Sequence, residues 1–118
     1  MRSIDMSIHN LDKFFKPESV AIIGASERRE SIGNSLVKNI LKSGYQGKVF
    51  QVNPRHTFIH GHPSYPSISN INEPVDLAIM ATPIANGPSI IKGCVKAAVG
   101  GLIIISAGGK GFLAVLSG

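Results

Sequence analysis

The chain has 118 residues, 43% of them hydrophobic and 16% charged, which supplies one buried core, is too short for two ordinary ones and argues against disorder. Twelve Lys and Arg against seven Asp and Glu leave a formal charge of +5, a balance that suits an anionic ligand and, on charge alone, nucleic acid too. A single cysteine, Cys94, excludes an intrachain disulfide framework, while the lack of an apolar run of about 18 residues and of a signal-peptide core predicts a cytoplasmic protein with no membrane partner.

Residues 1–10 are mixed and polar and read as a flexible tail. In LDKFFKPES, Leu11, Phe14 and Phe15 recur at helical spacing before Pro17 stops the turn. VAIIG follows, short, rich in β-branched residues and not alternating, as a strand buried on both faces reads. Residues 25–33, ASERRESIG, form a polar loop. The next helix carries Leu36, Val37, Ile40 and Leu41 on one face, Lys38 and Lys42 on another, and Gly44 as its stop. KVFQVN at 48–53 is a second strand, cut by Pro54. Residues 55–72 are rich in turns and show no periodicity. VDLAIMA at 75–81 is a third strand. A helix over 88–99 turns Ile90, Ile91, Cys94, Val95 and Ala98 to one side, and LIIIS at 102–106 is a fourth strand. A glycine-rich turn and a short apolar end complete the chain.

Buried strands alternating with amphipathic helices predict an α/β domain, a Rossmann-like doubly wound parallel sheet covered on both faces. In such a sheet, ligands bind at the carboxyl ends of the strands. Four stretches fall there. After the first strand comes Gly24-Ala25-Ser26, then Ser31-Ile32-Gly33. Gly24 lets the chain turn, and a helix opening at Gly33 offers free N–H groups to phosphate. An ordinary strand-to-helix turn would use the same residues, and the spacing is not G-x-G-x-x-G. After the second strand stands Asn53-Pro54-Arg55, without the acid that holds ribose hydroxyls in NAD sites. Arg55 suits a phosphorylated ribose instead, or is a solvent-exposed residue after a turn. Ala81-Thr82-Pro83 and Ser106-Ala107-Gly108 end the third and fourth strands.

Other groups carry less. His56, His60 and His62 have spacing that zinc tolerates, but no Cys or acid sits close, and they read as exposed loop residues. Cys94, on an apolar helix face, reads as a buried structural thiol. No carboxylate pair, Ser-His-Asp set or P-loop is present, so no catalytic residue is assigned. The aromatic residues are not interleaved with the basic ones, which argues against nucleic acid as a partner.

Taken together, LDKFFKPESVAIIGAS, SIGNSLVKNILKSGYQGKVFQVNP, GHPSYPSI, VDLAIMATP and LIIISAG resemble the N-terminal CoA-binding domain of NDP-forming acyl-CoA synthetases. That superfamily includes ADP-forming acetate–CoA ligases, protein lysine acetyltransferases and the α subunit of succinyl-CoA synthetase. The resemblance runs from about residue 11 to 108 and implies a Rossmann-like domain over 11–118 that holds CoA or acyl-CoA. It implies that Gly24, Ser26, Ser31, Ile32 and Gly33 wrap phosphates and that Arg55 lies near the phosphorylated ribose. Thr82 and Pro83 would line the cofactor, and Ser106 to Gly108 would lie under its pantetheine arm. Gly109-Lys110-Gly111-Phe112 departs from the aromatic residue and acid usual there, which marks the C-terminal part as truncated or divergent.

The phosphohistidine and ATP-grasp domains of the synthetases have no counterpart in these residues, so the chain alone is expected to bind and not to ligate. The rivals are an NADP-type nucleotide-binding module, a short subunit completing a synthetase with a separate ATP-grasp chain, and an interaction module without ligand. A homo-oligomer is compatible with all of them.

Overall fold

The apolar run after Pro17 becomes β1 (Ser19–Ile23). In the computed structural model, which describes residues 16–81, 87–105 and 111–115, every residue of β1 is buried. The reason is its place in the middle of a seven-stranded sheet of order β3-β4-β2-β1-β5-β6-β7. The other strands are β2 (Lys48–Val52), β3 (Phe58–Ile59), β4 (His62–Tyr65), β5 (Leu77–Met80), β6 (Gly101–Ile105) and β7 (Gly111–Val115). β1 runs parallel to β2 on one side and to β5 on the other, with Val20 opposite both Val49 and Leu77.

Because side chains alternate across a strand, β1 supplies both cores. Val20 and Ile22 pack with Val37, Leu77 and Ile79 on one face, and Ala21 and Ile23 with Phe50, Met80, Cys94 and Leu102 on the other. Helix α1 (Ile32–Lys42) covers the first face with Leu36, Val37 and Ile40; helix α2 (Gly87–Lys96) covers the second with Ile90, Ile91 and Cys94. Gly44, at φ +81°, ends the turn after α1, a backbone region that favours glycine. At the amino edge, the Ser19 hydroxyl donates to the Pro74 carbonyl and accepts from Asp76 N–H, each at 2.9 Å, which fixes the register of β1 against β5.

The predicted doubly wound sheet is present, with differences in detail. α2 ends at Lys96 rather than at 99, which leaves Ala98, at φ +56°, outside the helix, and Leu41 and Val95, expected on apolar helix faces, are exposed. The polar loop ends at Ser31, and α1 begins at Ile32 rather than after Gly33. The stretch 55–72 is not irregular: it contains β3, β4 and a 3-10 turn over Ile68–Asn70. β4 lies parallel to β2, but its sequence HPSY is half-exposed and polar, so it lacks the apolar signature of the inner strands. The apolar end is an antiparallel edge strand, β7, on β6. The predicted turn at Leu11, Phe14 and Phe15 falls outside the described residues. Among the described residues, no helix is long and apolar enough to cross a membrane.

Cys94 is fully buried at the heart of the α2 face. Burial disfavours the thiolate and pushes its pKa up to about 11. The folded value is therefore raised, so the stability gained from the neutral thiol is complete below the unfolded value of about 8.5. It is lost as pH rises through about 11. A thiol reagent at roughly pH 8 should leave the native protein unmodified and titrate Cys94 fully in urea. Urea midpoints should also fall between about pH 8.5 and 11 more than those of Cys94→Ala.

Candidate functional site

The order of the strands decides where a ligand fits. The chain leaves β1 towards β2 and β4, then returns to the opposite side of β1 for β5 and β6. The crevice of a doubly wound sheet opens at such a reversal, outside the carboxyl ends of the strands. Here that position is marked by Gly24 after β1, Asn53 after β2 and Ala81 after β5.

Gly24 turns the chain out of the sheet at φ +96°, where a side chain would be strained. Its N–H donates to the Val52 carbonyl at 3.0 Å, while Ala81 N–H donates to the Ile23 carbonyl at 2.8 Å. The three strand ends are thereby held level. Ala25 is fully buried, and its carbonyl accepts from Asn53 Nδ2 at 2.8 Å. Asn53 Oδ1 in turn accepts from Arg55 N–H at 2.7 Å. Asn53 thus joins the β1 turn to the β2 turn and shapes the backbone that carries Arg55.

Residues 26–31 close on themselves. The Ser26 hydroxyl accepts from Arg28 N–H at 2.9 Å, and the Ser31 hydroxyl donates to the Arg28 carbonyl at 2.9 Å. Ser31 is the N-cap of α1, accepting from Asn34 N–H at 3.0 Å. Gly33 is therefore the second residue of the helix and not its cap. A Cβ built on it would stand 1.9 Å from the Gly24 carbonyl oxygen and 3.3 Å from Ala25 Cα. Gly33 lets the positive end of α1 press directly on the β1 turn.

The result is a cleft of about 630 Å³ at the sheet edge, lined by Gly24, Ser26, Glu27, Arg28, Ser31, Asn53, Pro54, Arg55, His56 and Ala81. A second, more apolar cleft of about 430 Å³ shares Gly24 and Pro54 with it and runs over Ile23, Ile68, Ser69 and Ile90 towards α2. The structure thus brings Gly24, Ser26, Ser31, Asn53, Pro54, Arg55 and Ala81 around one cavity. Ala25, Ile32 and Gly33 belong to the framework behind it. Thr82, Pro83, Ser106, Ala107 and Gly108 lie outside the described residues.

Arg28 lines the cleft and is not among the residues singled out from the sequence; its signal is the Arg28-Arg29 pair, the cations of the loop over 25–33. The histidines separate. His56 and His62 are exposed, as expected. His60 is not: it is half-buried, and its Nε2 lies 2.7 Å from Asn34 Oδ1.

The CoA binding domain family matches residues 18–112, a span that runs from just before β1 into the start of β7. The chain belongs to that family. It is 40% identical over 100 residues to acetate–CoA ligase [ADP-forming] I of Archaeoglobus fulgidus, covering 85% of this chain and 14% of that protein. It is 35% identical over 103 residues to acetate–CoA ligase [ADP-forming] I subunit alpha of Pyrococcus furiosus, covering 84% of this chain and 22% of the subunit. Among solved structures it superimposes on the dinucleotide-forming acetyl-coenzyme A synthetase 1 of Ca. Korarchaeum cryptofilum, in complex with phosphate and ADP. The TM-score is 0.79 at 32% identity, over 82% of this chain and 21% of the other. The chain therefore spans less than a quarter of the length of each of these relatives.

The contact of Gly33 with Gly24 gives a direct test of the framework. Gly33→Ala places a methyl group against backbone that cannot rotate away, so the variant should lose about 1–3 kcal/mol in urea unfolding. Gly61→Ala, where the new Cβ meets open space but the backbone φ of +75° is unfavourable, separates a packing clash from simple backbone strain.

Proposed function

We propose that this domain binds CoA, or an acyl-CoA, across the carboxyl edge of its sheet. The observation that carries the reading is the pairing of the α1 amino end with Arg28 and Arg55 around one cleft, in a chain of the CoA binding domain family. Helix N–H groups and a positive dipole favour phosphate, and guanidinium groups add charge-assisted hydrogen bonds. Gly24, Ser26, Ser31, Ile32 and Gly33 form the phosphate loop on this reading. Arg55 meets the ribose phosphate. Ala81, with Thr82 and Pro83, lines the cofactor, and Ser106, Ala107 and Gly108 lie beneath the pantetheine arm. The apolar cleft over Ile68 and Ile90 is available to a less polar part of the molecule.

A CoA-binding domain of this kind supplies a site rather than a reaction. Among the described residues, none lining the cleft pairs a nucleophile with a base, and the ligase chemistry belongs to relatives several times longer. The domain works, on this reading, with a further domain or chain that handles the nucleotide, as the α-subunit relative supports.

The direct experiment is calorimetric titration with CoA, dephospho-CoA and NAD. CoA should bind more tightly than NAD, and tighter binding of NAD would overturn the assignment. Arg55→Ala should weaken CoA by about 1.5–3 kcal/mol, the range for hydrogen bonds to charged groups. The same variant should leave dephospho-CoA nearly unchanged. Equal losses for the two ligands would remove the proposed contact. The purified chain, given acetate, CoA and ATP, should form no acetyl-CoA.

A further inference from the structure

Behind the cleft, the hairpin of β3 and β4 touches the loop of residues 26–31 at Glu27 and the first turn of α1 at Asn34. Its two turn residues, His60 and Gly61, have φ of +51° and +75°. Positive φ at both central positions is the type I′ turn that suits a two-residue hairpin, where Asn-Gly is the usual pair. His at the first position is a less favourable choice, so what its ring does needs an explanation.

The base of the hairpin is fixed. Gln51, almost fully buried, directs Nε2 at the carbonyls of Ile59, His62 and Pro63 at 3.0–3.2 Å, and Ile59 is fully buried. From that base, His60 N–H donates to Glu27 Oε2 at 3.1 Å and His60 Nε2 meets Asn34 Oδ1 at 2.7 Å. Asn34 is buried, and its Nδ2 donates to the Arg29 carbonyl at 3.3 Å. This donation fixes the amide orientation, so Oδ1 is the acceptor and His60 Nε2 carries the proton. Asn34 N–H also holds the Ser31 hydroxyl, which holds the Arg28 carbonyl. A continuous chain of hydrogen bonds thus runs from the hairpin to the backbone of Arg28.

We propose that His60 is a positioning residue for the anion-binding loop: through Asn34 and Glu27 it holds residues 26–31 in the shape that presents Ser26, Arg28 and Ser31 to the ligand. The inference rests on the reading of that loop as the phosphate site. His60 does not line the cleft, so it acts on the ligand only through the loop.

His60→Asn is the informative variant. Asn-Gly keeps or improves the type I′ turn, and the backbone N–H to Glu27 remains, but the shorter side chain does not reach Asn34. With the full chain, thermal melting should stay near the parent's. CoA affinity by calorimetry should fall about tenfold, the size of one hydrogen bond. In the ligand-free protein, the amides of Arg28, Ser31 and Asn34 should exchange faster with deuterium. His60→Gln, which returns a long side-chain donor, should recover part of both. Unchanged exchange in a folded His60→Asn variant overturns the brace, whatever the parent binds. Faster exchange with undiminished CoA affinity overturns the link to the ligand. A parent chain that binds no CoA overturns the functional reading and the ligand half of this inference together, while exchange still decides the brace.

Discussion

The approach of Gly33 to the Gly24 carbonyl is the contact on which the site depends. It sets how closely the amino end of α1 rests on the turn after β1. A larger residue at either position would lift the helix away from the sheet edge. Both consequences of that closeness matter. The helix dipole is carried up to the rim where the strands end. The backbone of the turn is also left bare, so a ligand can lie against it without meeting a side chain. Ser31 completes the arrangement by capping the helix with its own hydroxyl, which anchors the loop to the helix start.

The fold was legible because the central strands β1 and β5 are buried along their whole length and β6 is buried or half-buried, and such strands announce themselves as short apolar runs. VAII, LAIM and LIII are of this kind, and α1 and α2 each show one apolar face. β4 was not legible, because a strand near the sheet edge with half-exposed residues needs no apolar run. Its pairing is specified by Gln51, whose amide reaches the hairpin carbonyls, and a single polar residue in KVFQV gives no sign of its partner. The start of α1 was misplaced by a residue or two because the polar, glycine-containing sequence SIGN is compatible with both loop and first turn; the Ser31 cap decides it.

The site was legible in outline for a different reason. Strand ends in a doubly wound sheet converge by topology, so residues at the ends of predicted strands are neighbours before any distance is known. Gly24, Asn53 and Ala81 meet in this way. What the sequence could not carry was the role of side chains that bridge separate turns. Asn53 reads as a turn residue before proline, yet its amide joins Ala25 to Arg55. His60 reads as one of three loop histidines, yet it is the one whose ring faces a buried amide. Long-range partners of this sort are set by how two loops pack, and neither loop is periodic.

The same geometry bears on which nucleotide the cleft favours. In a dinucleotide site, the residue ending the second strand is an acid whose two oxygens take the ribose hydroxyls. Asn53 occupies that place, and both ends of its amide are engaged: Nδ2 donates to Ala25, and Oδ1 accepts from Arg55 N–H. It carries no charge, and its first duty is to shape the loop. The next residues bring a cation, Arg55, and a second cation, Arg28, lines the cleft with it. Glu27 is the one acid among the described lining residues, and its carboxylate is engaged by the His60 N–H. On the proposed reading, a ligand is met here by the amino end of α1 and by guanidinium charge. On that reading, such a site rewards phosphate groups over sugar hydroxyls, and a ribose that itself carries a phosphate over one that does not.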